Sequence, residues 1–179
     1  MLAVVEGEAE KLGHGNITTR KARAEELPFP DQSFDIVASR YSAHHWHDVG
    51  LAMREAFRVL ARGGTLVVMD VASPGQVLLD VHLQTLELLR DNSHVRDYSF
   101  AEWLSFVSAV GFVNVETSAS RLRLEFTSWV TRMKTDSRFT EAIRQLQKKA
   151  PREVADHYQF EQDGSFSVDL VFLTANKAR

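Results

Sequence analysis

Three histidines stand close together at His44-His45-Trp46-His47, and Asp48 follows them. A neutral imidazole accepts a proton near pH 7, so each is a candidate general base. The plainer alternative is that one packs, one faces water and one touches a helix end. His44 is the preferred base, because it lies nearest the end of the apolar run before it. Zinc is the other chemistry that three histidines suggest. Ligands this close in sequence rarely converge without a helix to carry them, and the chain has no cysteine or nearby carboxylate set to complete a closed shell. No metal site is expected, and Asp48 is better used as a helix cap.

Other groups could do chemistry. Glu25 and Glu26 could form an acid pair, although a loop with one carboxylate in solvent is the simpler arrangement. Asp70 ends the most apolar run, where it either faces an active site or stabilises the turn before Pro74-Gly75. His82, Gln84, His94, Arg96 and Tyr98 are polar handles for a small molecule, unless their segment only packs on the core. Trp46, Trp103 and Trp129 read as packing residues. Lys148-Lys149 and Arg152 read as a solvated helix end.

These residues must be positioned by regular elements. A short helix is expected over 2–12, ending near Gly13-His14-Gly15, and a weak strand over 16–22. The alternating prolines of Leu27-Pro28-Phe29-Pro30 force a loop. Phe34–Ser39 is apolar enough for a strand buried on both faces, as in a parallel sheet. Asp48 opens a helix over 49–60, Gly63-Gly64 stops it, and residues 65–71 form the strongest strand. Strand, helix and strand in that order make a βαβ unit. A helix is expected over 76–90. Ser99 and Glu102 are spaced as a capping box for another, which ends at Gly111. Extended pieces at 112–117 and 121–126 and helices at 127–133 and 138–149 follow. A strand over 165–174 ends the chain in a hairpin-like finish.

The chain has 179 residues, 25% of them charged and 44% hydrophobic, which suits one soluble domain and excludes wholesale disorder. A net charge of −3 does not favour nucleic acid as a partner. No run approaches the roughly 18 apolar residues of a membrane span, and the N-terminus has no signal-peptide pattern. A cytoplasmic location and no membrane partner are expected.

Two segments carry a family resemblance: Ala24-Glu25-Glu26-Leu27-Pro28-Phe29-Pro30-Asp31-Gln32-Ser33-Phe34-Asp35, and Arg58-Val59-Leu60-Ala61-Arg62-Gly63-Gly64-Thr65-Leu66. With the His44-His45 pair, they resemble class I S-adenosylmethionine-dependent methyltransferases, nearest to the ubiquinone/menaquinone-biosynthesis C-methyltransferases. The resemblance covers the chain to about residue 120 and implies an α/β, Rossmann-like sheet with an antiparallel C-terminal strand. It implies S-adenosylmethionine as cofactor and methyl transfer to a small molecule. Ligands in such sheets sit beyond the carboxyl ends of the strands. The family pattern carries Ser39, Arg40 and Tyr41 to the methionyl part of the cofactor. It carries Ala24 and Glu25 to the adenine through their backbone. His44 becomes the catalytic base. His45, His82, His94, Arg96 and Tyr98 become substrate contacts, the last four in a substrate-covering insertion over 74–98 of a single 1–179 domain.

The sequence departs from the family in two ways. It contains no G-x-G-x-G turn, and Arg23 stands where many relatives carry an acid. The resemblance therefore implies an N-terminally truncated sheet lacking its first two core strands. Three outcomes are expected of that edge: a start codon assigned too far downstream, a repacked 16–22 strand beside 34–39, or a homodimer through the open edge. The rival function is a non-catalytic, self-associating chain that does not bind S-adenosylmethionine.

Overall fold

The computed structural model describes residues 2–179. Four strands form one sheet in the order β1 (Phe34–Arg40), β2 (Leu60–Ala72), β4 (Phe166–Asn176), β3 (Val113–Leu124). β1 and β2 run parallel, and β4 lies antiparallel to both β2 and β3. The crossover from β1 to β2 is α2 (Val49–Val59), which completes the βαβ unit.

Side-chain alternation divides the core. Leu66 and Val68 of β2, with Val171, Leu173 and Ala175 of β4, face α2 and α4 (Phe100–Val110) through Met53, Ala56, Trp103 and Val107. On the other face Val71, Phe166, Val168 and Leu170 meet α3 (Val77–Arg90), α5 (Phe126–Met133), α6 (Ser137–Lys148) and α7 (Arg152–Tyr158). That layer closes through Leu79, Leu83, Trp129, Ile143 and Tyr158. Sheets covered by helices on both faces have no polar side, which explains the unbroken apolar run of β2.

The ends of the helices follow their sequence signals. Asp48 caps α2 by accepting from the Leu51 amide at 2.8 Å. Ser99 and Glu102 exchange the two bonds of a capping box at the start of α4. α4 stops at Gly111, whose φ of 100° lies in the left-handed region.

The proline-rich loop is latched to α2. Arg58 donates to the carbonyls of Leu27 and Phe29 and to Asp31, at 2.8–3.0 Å. Glu55 accepts from the Leu27 amide and from Arg58, whose hydrogen bonds hold its carboxyl down at about 2. The L-P-F-x-D segment is thus part of the scaffold behind the sheet's rim.

Five expectations change. β1 is not buried on both faces: Ile36 is 64% exposed, because the strand lies at the margin of the sheet. Residues 16–22 form no strand, and Ile17 is exposed, because β1 accepts no partner from that segment. The pair Gly63-Gly64 does not stop α2, which already ends at Val59; it bends the start of β2, where the pairing with β1 slips between Phe34 and Ile36. A Cβ on Gly64 would lie 2.9 Å from the Ala61 carbonyl oxygen and 3.0 Å from that of Asp35, so only glycine fits. The two extended pieces after Gly111 are one strand, β3, because β4 offers a partner along its length. α7 was not expected. α1 (Leu2–Lys11) forms as the sequence indicates. No helix among the described residues is long and apolar enough to cross a membrane.

Candidate active site

β1 leaves the sheet at Arg40, and Tyr41 turns the chain with a φ of 49°, unusual for a bulky residue. Its amide is held by the Met69 carbonyl at 2.9 Å. This turn delivers Ser42 and the single 3-10 turn Ala43–His45 to the carboxyl end of β2. There Asp70 organises them. Its Oδ2 accepts from the amides of Ser42 (3.2 Å) and Ala43 (2.9 Å), and its Oδ1 accepts from the Val71 amide (2.9 Å).

His44 completes this arrangement. Its Nδ1 lies 2.6 Å from Asp70 Oδ1, and the carboxylate is almost wholly buried. The contact places the proton on Nδ1 and leaves Nε2 as the basic atom. The His44 side chain keeps 13% of its surface exposed. Burial opposes a charge on this ring, but the hydrogen bond and negative charge of Asp70, with Glu87 behind it, outweigh burial and raise its pKa above the ordinary 6.5.

The other two histidines of the triplet turn elsewhere. His45 Nδ1 contacts the Ser93 carbonyl at 3.1 Å. His47 Nδ1 accepts from Arg23 at 2.9 Å, and the His47 and Asp48 amides both donate to Glu25. Glu25 therefore pins the 23–26 loop to the start of α2, and these bonds, working against burial, lower its pKa. Ala24 rides on this loop, close to the rim.

Ser39 shares a 3.0 Å contact with Ser42, and the Arg40 guanidinium lies 5.0 Å from the centre of the Tyr41 ring. Beside the same loop is a cavity of about 510 Å³, lined by Lys21, Ala22, Arg23, Glu26, Leu27 and Pro28.

The segment after α3 closes over the site from above. The amides of Val95 and Arg96 donate to the His44 carbonyl at 2.7 and 3.2 Å. His94 is buried, and its Nε2 donates to Gln84 Oε1 at 2.8 Å. Burial, followed by the neighbouring His44 and His45, presses its pKa down to about 4. Arg96 pairs with Asp80 and Glu102, both at 3.2 Å. Tyr98 is buried edge-on against Trp103 and Phe106. His82 bonds back to the Leu78 carbonyl within α3. Of the five expected substrate contacts, His45 and His94 lie around His44, whereas Arg96, Tyr98 and His82 are engaged in ion pairs, aromatic packing and their own helix.

Two important groups carried little signal. From the sequence, Asp70 reads as either a rim residue or a turn carboxylate, and nothing local separates the two. Asp97 carries no signal in the sequence, since an aspartate in a polar loop ordinarily faces water. It is 1% exposed, and single donor atoms of His44, Asp70 and Asp97 all lie within 4.8 Å of one another.

The sheet, parallel at β1–β2 and covered by helices on both faces, is of the Rossmann-like class, and comparison with known proteins identifies the family. Residues 1–68 match the model of the methyltransferase domain. The chain is 49% identical to an uncharacterized Escherichia coli protein, YafE, over 99% of its own length and 86% of that protein's. It is 39% identical to an uncharacterized methyltransferase of Bacillus subtilis, YcgJ, over 74% of this chain and 52% of that one. The crystal structure of YcgJ superposes with a TM-score of 0.92 at 33% identity, covering 100% of this chain and 79% of that one. A ubiquinone/menaquinone biosynthesis C-methyltransferase of Proteus mirabilis, UbiE, is 42% identical over 34% of this chain and 24% of its own. The chain belongs to the methyltransferase family.

Proposed function

We propose that this chain transfers a methyl group from S-adenosylmethionine to a small-molecule acceptor, with His44 as the base and Asp70 orienting it. The observation that carries this reading is the 2.6 Å contact between His44 Nδ1 and a carboxylate fixed by three backbone amides. It presents Nε2 at the strand-end rim where such sheets bind ligands.

The residues at hand suit one flank of the cofactor. Glu26 offers an acceptor and Leu27 and Pro28 an apolar wall in the cavity beside the rim. Ser39, Arg40 and Tyr41 would border the methionyl part. Bound S-adenosylmethionine supplies an electrophilic methyl group on a sulfonium.

The remaining work falls to the chain. His44 Nε2 takes the proton from the acceptor's oxygen, nitrogen or carbon acid. Asp70 holds the imidazole in one tautomer and balances the positive charge that it gains. His45, on the turn after β1, and the segment after α3 that carries His94 cover the acceptor and limit water. Positioning supplies the rest of the acceleration.

A second reading is favoured by one feature: β1 has an open edge, and Ile36 on it is 64% exposed. On that reading the chain self-associates and does not bind the cofactor. Calorimetry with S-adenosylmethionine, with the mass of the same sample measured, separates the two. Micromolar binding is the expected result. A folded sample that shows no heat of binding would sink the enzyme reading of this chain.

A further inference from the structure

We propose that Asp97 is a positioning residue of the His44–Asp70 pair: it stands beside them as a neutral carboxyl and leaves His44 able to release its proton. The proposal rests on the reading of His44 as the base.

The geometry comes first. Asp97 Oδ1 lies 4.0 Å from His44 Nδ1, the same nitrogen that contacts Asp70. Its backbone is fixed by Gln84, which accepts from the Asp97 amide at 3.0 Å and donates to the Asp97 carbonyl at 2.8 Å. The carboxyl itself is 1% exposed. Oδ2 is buried without a hydrogen-bond partner, 4.0 Å from His94 Nε2. An ionised carboxylate rarely stays buried with an oxygen unpaired, because the charged form carries the whole desolvation cost.

The surroundings point the same way. From β2, Asp70 faces the cluster, its Oδ1 2.6 Å from His44 Nδ1. From α3, Glu87 and Asp80 add acid, and Arg90 is turned to Glu87 at 3.1 Å. From the covering loop come Asp91, which bonds Ser93, and Arg96, which is taken by Asp80 and Glu102. His45 lies 3.9 Å from Asp91, and His94 is held neutral. Five carboxyl groups thus face two guanidiniums, and neither guanidinium pairs with Asp97. Burial, then Glu87, Asp70 and Asp80, raises Asp97 well above the usual carboxylate range.

The consequence concerns His44. A second ionised carboxylate at this distance would lift the imidazole by about 1–3 further units and lock it as a cation. Neutral Asp97 avoids this, and it becomes a counter-charge only when the pH rises far enough to ionise it. The two groups then titrate as a coupled pair.

The test is carbon-13 NMR of the full chain with labelled histidine and aspartate, which needs neither cofactor nor acceptor. It therefore stays readable if the enzyme reading fails. The Asp97 carboxyl carbon is expected to keep its protonated shift through pH 7. The His44 curve is expected to carry a second inflection where Asp97 ionises. Asp97→Asn should remove that inflection and leave the first midpoint within half a unit, whereas Asp70→Asn should lower the midpoint by a unit or more. An Asp97 carbon that titrates in the ordinary carboxylate range in the wild-type chain overturns the proposal, whether or not the variant folds. So does a fall of a unit or more in Asp97→Asn. Manganese(II) that broadens His44 in the wild type but not in Asp97→Asn would also overturn it, by making the cluster a cation site.

Discussion

At the scale of the residue, the three histidines of one short segment have three different fates, and those fates decide what their substitution does. His44 alone has a carboxylate on one nitrogen and a free second nitrogen, so His44→Ala should lower turnover by about 10²–10⁴-fold, the range for a lost general base. His47, tied to Arg23 at the outer surface, should tolerate alanine with far less effect. Equal and small effects in two folded variants would remove His44 from the reaction. The pH dependence has a definite sign. The raised pKa of His44 means that its contribution to stability is complete below the unfolded value of 6.5 and is lost as the pH rises through the higher folded value. His94 does the opposite. Its folded pKa of about 4 lies below 6.5, so acid must charge the unfolded chain first, and stability is lost as the pH falls from 6.5 to 4. At 1.36 kcal/mol per unit this loss is up to ~3 kcal/mol. Denaturant unfolding of His94→Gln should show a flatter acid limb than the wild type by that order, and parallel limbs would refute the assignment. His44 and His94 were visible in the sequence through their type. Asp97 was not, because burial of an acid depends on a helix and a loop meeting from above.

At the scale of the element, the same capping chemistry that marks α4 in the sequence fixes it in space. Ser99→Ala removes the cap to the Glu102 amide and should cost about 1 kcal/mol in denaturant unfolding. It should also loosen the covering loop, because the Ser73 amide donates to the Tyr98 carbonyl just before the cap. A variant within experimental error of the wild type would show that tertiary packing alone holds this helix start. Elements with local signals were legible: the Asp48 cap, the Ser99-x-x-Glu102 box, the Gly111 stop and the apolar run of β2. Those decided by partners were not. Ile17-Thr18-Thr19 has strand-forming residues but no edge to join, whereas Ser118–Ser120, polar and unremarkable, extends because β4 lies beside it. Gly63-Gly64 reads as a helix stop in one dimension, yet it serves a close approach of β1 and β2 that only the fold creates.

At the scale of the whole molecule, the order of strands leaves β1 at one margin of the sheet, and its side chains describe what that margin can do. Ile36 is 64% exposed, and Asp35, Ala38 and Arg40 lie open beside it. Natural edge strands are usually shortened, bulged or charged to prevent pairing. β1 has charge at its two ends, in Asp35 and Arg40, but an apolar centre. A strand of seven residues with one edge open and this pattern can add a strand from a second copy, and main-chain hydrogen bonds would supply the pairing. The mass of this chain in solution should therefore rise with concentration, by sedimentation or light scattering. Ile36→Lys, which places a charge at the centre of the edge and disturbs no buried contact, should return it to the monomer without lowering its melting temperature. A wild-type chain that stays monomeric across the same range would exclude the edge as a self-association surface. Association that persists in Ile36→Lys would move the contact to another face, of which the outer side of α3, with Val77 80% and Val81 55% exposed, is the apolar candidate.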